Sequence, residues 1–287
     1  MKKMSRRQFL KGMFGALAAG ALTAGGGYGY ARYLEPHMIE TTEHTIKSSL
    51  IPHGFDGFKI VQFSDAHLSD YFTLEDLKTV ILTINESKPD LIVFTGDIID
   101  NPDTYQHHQA VIPLLRKLNA PFGKLCIYGN HDHGGYGTAV YKSLMTAGGF
   151  TVYRNGYQTL SLADGSKIEI ASLDDLMLGN PDYEGTLSRL SDRLFSILLV
   201  HEPDAALKTT DYPVNLQLSG HTHGGQIQLP FYGPIITPPY GKVYTEGMYQ
   251  TGSTHIYVNR GLGMTRLPLR FLAKPEITVF TLKSKLM

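Results

Sequence analysis

Phe58-Lys59-Ile60-Val61-Gln62-Phe63-Ser64-Asp65-Ala66-His67 is the stretch that decides how this chain is read. Its first half is β-branched and aromatic, too short for a helix, and it stops at polar residues. It therefore reads as a buried strand whose end delivers Asp65 and His67. Two further segments repeat the design. Leu91-Ile92-Val93-Phe94 ends at Thr95-Gly96-Asp97, and Lys124 to Tyr128 ends at Gly129-Asn130-His131-Asp132. Between the first two, Thr73 and Asp76 have capping-box spacing, and Leu74, Leu77, Ile81 and Ile84 form a helical stripe that stops before Pro89. A weaker helical pattern covers Gln106 to Leu118, interrupted by Pro113. Strand alternating with helix predicts parallel pairing.

The second half holds less helix. Phe150 to Tyr153, Gln158 to Leu162 and Lys167 to Ser172 read as strands, the last two joined by the turn signal Asp164-Gly165. Ser196 to Val200 runs into His201, and Leu216 to Ser219 runs into Gly220-His221-Thr222-His223. Ile256 to Asn259 and Glu276 to Leu282 close the chain, with a proline- and aromatic-rich loop at Pro230 to Pro239. No repeat or low-complexity linker divides residues 35–287, which predicts one compact α/β domain.

Five strand ends thus finish in metal-ligating residue types. Strands of such a sheet share their carboxyl edge, so these residues can converge. The set is oxygen and imidazole without thiolate, which suits Mn, Fe, Zn, Co or Ni rather than a structural zinc cage. The donors are too many for one ion, and an Asp at the second strand end, Asp97, can bridge a pair about 3.5–4 Å apart.

In the order Asp65-x-His67, Gly96-Asp97-x-x-Asp100, Gly129-Asn130-His131-Asp132, His201 and Gly220-His221-x-His223, these blocks resemble the calcineurin-like metallophosphoesterase superfamily. Gly220 to Gln226, Arg260-Gly261-Leu262-Gly263 and Pro275-Glu276-Ile277 resemble its YaeI/YkuE-like bacterial branch. The resemblance implies an α/β sandwich of two mixed β-sheets flanked by helices. It also implies two divalent ions (Mn, Fe or Zn), with Asp65, His67 and His223 on one, Asn130, His201 and His221 on the other, and Asp97 between them. The implied activity is phosphate-ester hydrolysis by a metal-bound hydroxide, with His131 protonating the leaving alkoxide. Asp100 would orient and charge-stabilise His131, and Asp132 is a second candidate for that part.

Two departures narrow the reading. Protein Ser/Thr phosphatases of the superfamily carry Arg where Asn101 follows Asp100, so a phosphoprotein phosphatase is disfavoured and a phosphodiester is favoured. His201 stands bare in Val200-His201-Glu202-Pro203-Asp204, so its place as a ligand rests on position after a strand. The rival readings are an envelope phosphomonoesterase scavenging phosphate and a catalytically idle metal-binding envelope protein.

The charge divides the chain. Of 26 Lys+Arg and 26 Asp+Glu, the first 34 residues hold six bases and no acid, which leaves the body at −6. An acidic body with no Lys/Arg-rich block and no Trp predicts no nucleic-acid-binding face. Ser5-Arg6-Arg7-Gln8-Phe9-Leu10-Lys11, ahead of a Gly/Ala-diluted apolar stretch, resembles a twin-arginine (Tat) export signal. Residues 1–34 are therefore expected to be a signal peptide, cleaved near Ala24 or Ala31 or retained as an anchor. The Tat machinery would be a partner, the destination the cell wall, envelope or medium, and membrane contact confined to the signal segment. Cys126 is alone, which excludes an internal disulfide, and its apolar run predicts a buried inert thiol. His133 is expected in a solvated loop, and His37, His44, His53, His107 and His108 on the surface. Tyr232 and Tyr240 are expected to pack or wall the cleft, and Arg260 and Arg270 to bind phosphate or form structural ion pairs.

Overall fold

A computed structural model describes residues 5–133 and 137–285. In chain order its strands are β1 (Glu40–Ser48), β2 (Lys59–Phe63), β3 (Leu91–Phe94), β4 (Lys124–Ile127), β5 (Thr151–Tyr153), β6 (Tyr157–Ser161) and β7 (Lys167–Ser172). They continue as β8 (Ser196–Leu199), β9 (Leu216–Ser219), β10 (Gln228–Leu229), β11 (Gly233–Pro234), β12 (Gly247–Thr251), β13 (Thr254–Val258) and β14 (Glu276–Ser284). Two six-stranded sheets form, ordered β1-β14-β2-β3-β4-β5 and β12-β13-β9-β8-β7-β6, and β10 and β11 make a short ribbon. Both are mixed. β2 to β5 run parallel with β14 antiparallel to β2, and β7, β8, β9 and β13 run parallel with antiparallel edges β6 and β12.

The alternation of side chains along each strand builds the layers. Ile60, Leu91, Val93, Leu125 and Ile127 point into a core shared with Ile168, Ile170, Ile197, Leu199, Leu216 and Leu218 of the second sheet. Their neighbours Val61, Phe63, Ile92, Phe94 and Cys126 face the other way, onto helices α2 (Leu74–Glu86), α3 (His108–Leu115) and α5 (Gly137–Ala147). The first sheet is buried on both faces, which is why its strands read as unbroken apolar runs. At about 1.5–3 kcal/mol for each fully buried large aliphatic or aromatic side chain, these two layers dominate the folding energy. Cys126 is buried, as its run predicts.

Helix α2 starts at the expected capping box, Thr73 with Asp76, and carries Leu77, Val80, Ile81 and Ile84 inward. Helix α3 is shorter than the expected 106–118 and runs through Pro113. Strand β1 was not anticipated: it is an edge strand along nine residues of β14, and only Ile46 is buried, so its sequence has no apolar period to read.

At the amino end, α1 (Arg6–Gly29) opens on a capping box between Ser5 and Gln8 and gives way to a π turn at Tyr30–Leu34. No described helix is long and apolar enough to cross a membrane. Residues 30–37 rest on the body. The Arg270 backbone N–H donates to the Ala31 carbonyl at 2.9 Å, and Ala273 N–H donates to the buried Glu35 carboxylate at 2.6 Å. Packing against the body therefore begins by Tyr30, inside the segment that composition sets apart.

Candidate metal centre

The carboxyl ends of β2, β3 and β4 in one sheet and of β8 and β9 in the other meet at one edge of the sandwich. A buried polar tie joins the two sheets beneath them. Gln62, the one polar residue inside the β2 core run, donates to the Ser219 carbonyl and to Thr95 Oγ1, both at 3.0 Å. Gly220 must lack a side chain, because a Cβ there would overlap Ser64 Oγ and the Asp65 carboxylate. Gly129 is constrained in the same way by the Asp97 carboxylate.

Asp65, His67, Asp97, His201 and His223 converge in this pocket, with Asp65, His67 and His201 fully buried. Asp65 Oδ1 lies 3.5 Å from His223 Nε2, 3.8 Å from His67 Nε2 and 3.9 Å from His201 Nε2. Asp97 Oδ2 lies 3.5 Å from His67 Nε2 and 3.3 Å from His201 Nε2, so it faces both groups of imidazoles. His221 joins from above His201, ring centroids 4.9 Å apart, and its backbone N–H donates to Asp65. Asn130 and His131 begin the short helix α4 (Asn130–His133) and line the adjoining cavity, which encloses about 470 Å³. A wider cleft of about 730 Å³ touches Asp100 from the side of Thr73 and Tyr105 and contains none of the ligand cluster.

The donor set fits divalent cations on an electronic argument. The Thr95 carbonyl can only accept, so His201 Nδ1, 2.6 Å away, carries a proton, and Nε2 is left facing Asp97 and Asp65. That Nε2 is buried with no hydrogen-bond partner. A lone pair aimed at two carboxylates is repulsive unless positive charge stands between them. His221 repeats the arrangement: Nε2 donates to the Pro239 carbonyl at 2.8 Å, leaving Nδ1 as its ligand atom. His67 Nδ1 is held by Asp100 Oδ1 at 3.2 Å, which points Nε2 inward, toward His223 Nε2 at 3.1 Å. Imidazoles oriented in this way are suited to holding a metal ion.

The protonation states of the protein groups carry the same message. Burial opposes the charge on both Asp65 and Asp97, yet the positive rings beside them, His201 first, hold both carboxyls below the usual range. Burial also opposes charge on His67, but Asp100 and Asp65 raise it to about 10. His201 is likewise raised by Asp97 and Asp65 against its burial. His221 is pushed down to about 4 by burial and by charged His201. Buried anions thus favour positive charge on the neighbouring imidazoles, a charge that divalent cations could supply instead.

His131 is the most open of the clustered rings, its side chain 28% exposed. Its Nδ1 donates to the Asp100 carbonyl at 2.6 Å, which leaves Nε2 as the atom able to exchange a proton in the cavity. Its backbone N–H donates to Asp97 Oδ1 at 2.9 Å, so a metal-site carboxylate also sets the position of α4. The Asp100 carboxylate is nearer His67 than His131, 3.2 against 3.7 Å. Asp132 is occupied elsewhere: its carboxylate accepts from the backbone N–H groups of Asp97, Ile98 and Gly129 and knits two ligand loops together.

Other residues depart from expectation. His133 is nearly buried, with Nε2 2.6 Å from Asp174, whose carboxylate also holds Arg154; the partner lies 41 residues away, so no local signal announced it. Arg260 pairs with Glu276 and Glu40. Arg270 is fully buried, its guanidinium donating to the carbonyls of Gly263, Ala273 and Arg260, with its terminal nitrogen 3.3 Å from His223 Nδ1. Its charge, after burial and His67, helps keep His223 neutral and so able to ligate. The Gly261–Gly263 turn buttresses β2 from below, with Gly263 N–H donating to the Asp65 carbonyl at 2.8 Å.

Along most of its length the chain is similar to known proteins. The family model for calcineurin-like phosphoesterases matches residues 58–225, the span from β2 through the His221 and His223 block. The chain is 31% identical to the phosphodiesterase YaeI of Escherichia coli over 97% of this chain and 99% of that one. It is 29% identical to the UDP-2,3-diacylglucosamine pyrophosphatase LpxG of Chlamydia trachomatis over 91% and 93%. Among solved structures, a dimetal phosphatase from Danio rerio aligns at TM-score 0.46 and 12% identity, covering 72% of this chain and 88% of that one.

Proposed function

The chain belongs to the calcineurin-like phosphoesterase family, and from that membership we propose that it is an exported, metal-dependent phosphoric ester hydrolase with a preference for diesters. One observation carries the metal dependence. Two buried carboxylates, Asp65 and Asp97, face the imidazole nitrogens of His67, His201 and His223, and Arg270, behind His223, adds a fixed positive charge. Asp65, His67 and His223 would hold one ion, Asn130, His201 and His221 the other, and Asp97 would lie between.

When bound, two such ions supply Lewis acidity toward the phosphoryl oxygens and acidify the attacking water. The chain's own residues do the rest. His131 delivers a proton from Nε2 to the leaving alkoxide, held in its tautomer by the Asp100 carbonyl and in place by Asp97. Asp100 acts through its carboxylate on His67 and through its carbonyl on His131. The diester preference is supported by Asn101 where an Arg clamp would grip a dianion and by the phosphodiesterase named among the relatives. Another relative is named a pyrophosphatase, which adds phosphoanhydrides to the substrate panel. Export is supported by the twin-arginine-like leader.

The test is His131→Ala in metal-loaded protein. Both metals should be retained while hydrolysis of bis-p-nitrophenyl phosphate falls about 10²–10⁴-fold, the usual worth of a general acid. Unchanged hydrolysis at verified metal content would remove His131 from that role. Faster turnover of the mono- than of the bis-ester would replace the diester preference with phosphomonoesterase activity.

A further inference from the structure

One wall of the metal-site cavity is apolar and open to solvent. Ile235, Ile236 and Leu267 line it while 52, 72 and 57% exposed. Around them Leu229, Phe231, Tyr232, Tyr240 and Val243 are exposed as well, and Phe231 stands wholly free of the body. Scattered exposed apolar residues are ordinary, but a cluster on one chain excursion at the mouth of a site marks an interaction surface.

The excursion is tied down. Its β10–β11 ribbon is fixed by Gln228 N–H donating to the Phe271 carbonyl at 2.8 Å and by Gln228 Nε2 donating to the Gly224 carbonyl at 2.9 Å. Phe271 in turn meets the edge of the Tyr30 ring, so the apolar rim continues into the leader segment. There Tyr28, Tyr33 and Leu34 are exposed, and farther up α1 so are Phe9, Leu10, Met13 and Phe14, beside Arg6, Arg7 and Lys11.

Charge follows the same division. Residues 212–275 contain one acid, Glu246, against Lys242, Arg260, Arg266, Arg270 and Lys274, in a body whose net charge is −6. Arg260 and Arg270 are engaged inside, but Lys242 and Arg266 stand exposed among the apolar rim residues. Bulky apolar and aromatic side chains interleaved with cations, on a stretch of chain poor in acids, match a bilayer interface with anionic headgroups. We infer that the 226–243 excursion, with Leu267 and the adjoining leader, docks the metal site onto an anionic lipid surface. Membrane contact then extends beyond the signal segment. Resting on the phosphoesterase reading, the substrate class is a phosphate ester in the headgroup of a membrane amphiphile.

The chain has no Trp, so Phe231→Trp places a single reporter on the rim. Phe122→Trp is the control, beside Phe58 at the amino-terminal ends of β2 and β4, the opposite sheet edge. The full-length variants are mixed with phosphatidylcholine/phosphatidylglycerol vesicles carrying brominated acyl chains. Emission from the rim reporter should shift to the blue and be quenched at least twofold, emission from the control should not change, and the effect should weaken without phosphatidylglycerol. Vesicle-bound protein with the rim reporter unquenched would assign docking to the leader alone and overturn the inference, as would absence of binding. A blue shift that grows with protein concentration without vesicles would overturn it too, by making the occupant a second copy. Because quenching needs no turnover, it is independent of the hydrolase reading. Phe231→Ser should in addition keep soluble-ester hydrolysis and lose hydrolysis of vesicle-borne phosphodiesters, whereas wild-type protein inactive on every ester would sink only the hydrolase reading.

Discussion

Asp100→Ala separates two roles that the structure keeps within one residue. Its carboxylate lies 3.2 Å from His67 Nδ1 and 3.7 Å from His131 Nδ1, while its carbonyl, which the substitution keeps, lies 2.6 Å from His131 Nδ1. The backbone is also held independently of the side chain, since Asp100 N–H donates to the Leu68 carbonyl. Removal of the carboxylate therefore frees the ring of His67, a proposed ligand, and leaves the His131 tautomer intact. The side chain is one-third exposed, so its long-range charge is screened and the loss is mainly one of orientation. Groups that orient a ligating His are worth about 10–100-fold in metal affinity, or about 1.4–2.7 kcal/mol. Chelator-competition titration with Mn or Zn should show that loss, with kcat at saturating metal within a few-fold of wild type and Asp100→Asn intermediate. Unchanged affinity with a hundredfold fall in kcat at saturation would refute this reasoning and place the carboxylate on His131.

Two further predictions concern the same pocket. Gly220→Ala should destabilise the chain by about 1–3 kcal/mol in chemical denaturation and reduce bound metal, because its Cβ would displace Ser64 and the Asp65 carboxylate; unchanged stability and metal content would show that the pocket yields freely. His67 is raised to about 10, so in chelator-treated protein its ion pairing stabilises fully below about 6.5 and is lost as pH rises through about 10. A cation must displace that proton, so metal affinity measured between pH 7 and 9 should rise about tenfold per unit, and a flat profile would exclude a charged His67.

The strand ends were legible because a sheet buried on both faces leaves continuous apolar runs, and each run stops where Asp65, Asp97 or Asn130 must leave it. Strand β1 was not legible, since an edge strand with one buried side chain needs no apolar period. The change in composition at residue 34 reports charge, whereas the packing of Ala31 and Glu35 on the body depends on partners near residue 270. Long-range contacts hid the rest. His133 looks like a loop residue until Asp174 meets it, and nothing local marks Arg270 as the buried cation behind His223.

The backbone explains how such a site persists without regular structure. Asp65, His67, Asp97, His221 and His223 all have φ between 43° and 74°, a region that costs a non-glycine residue on the order of 1–3 kcal/mol. The loops hold one another there. Asp65 N–H donates to the Gly96 carbonyl and His67 N–H to the Asp97 carbonyl, His221 N–H to the Asp65 carboxylate, and Asp97 N–H to Asp132. Each ligand loop is thus a strut for the next, and hydrogen bonds of the protein itself help to set the geometry of the site. It follows that replacing a ligand removes a donor atom and a strut together. Asp97, which would lie between the ions and also accepts the His131 N–H, cannot be changed without moving α4. Asp100 is the cleaner probe, because its side chain bears chiefly on one ring while its backbone contacts survive substitution.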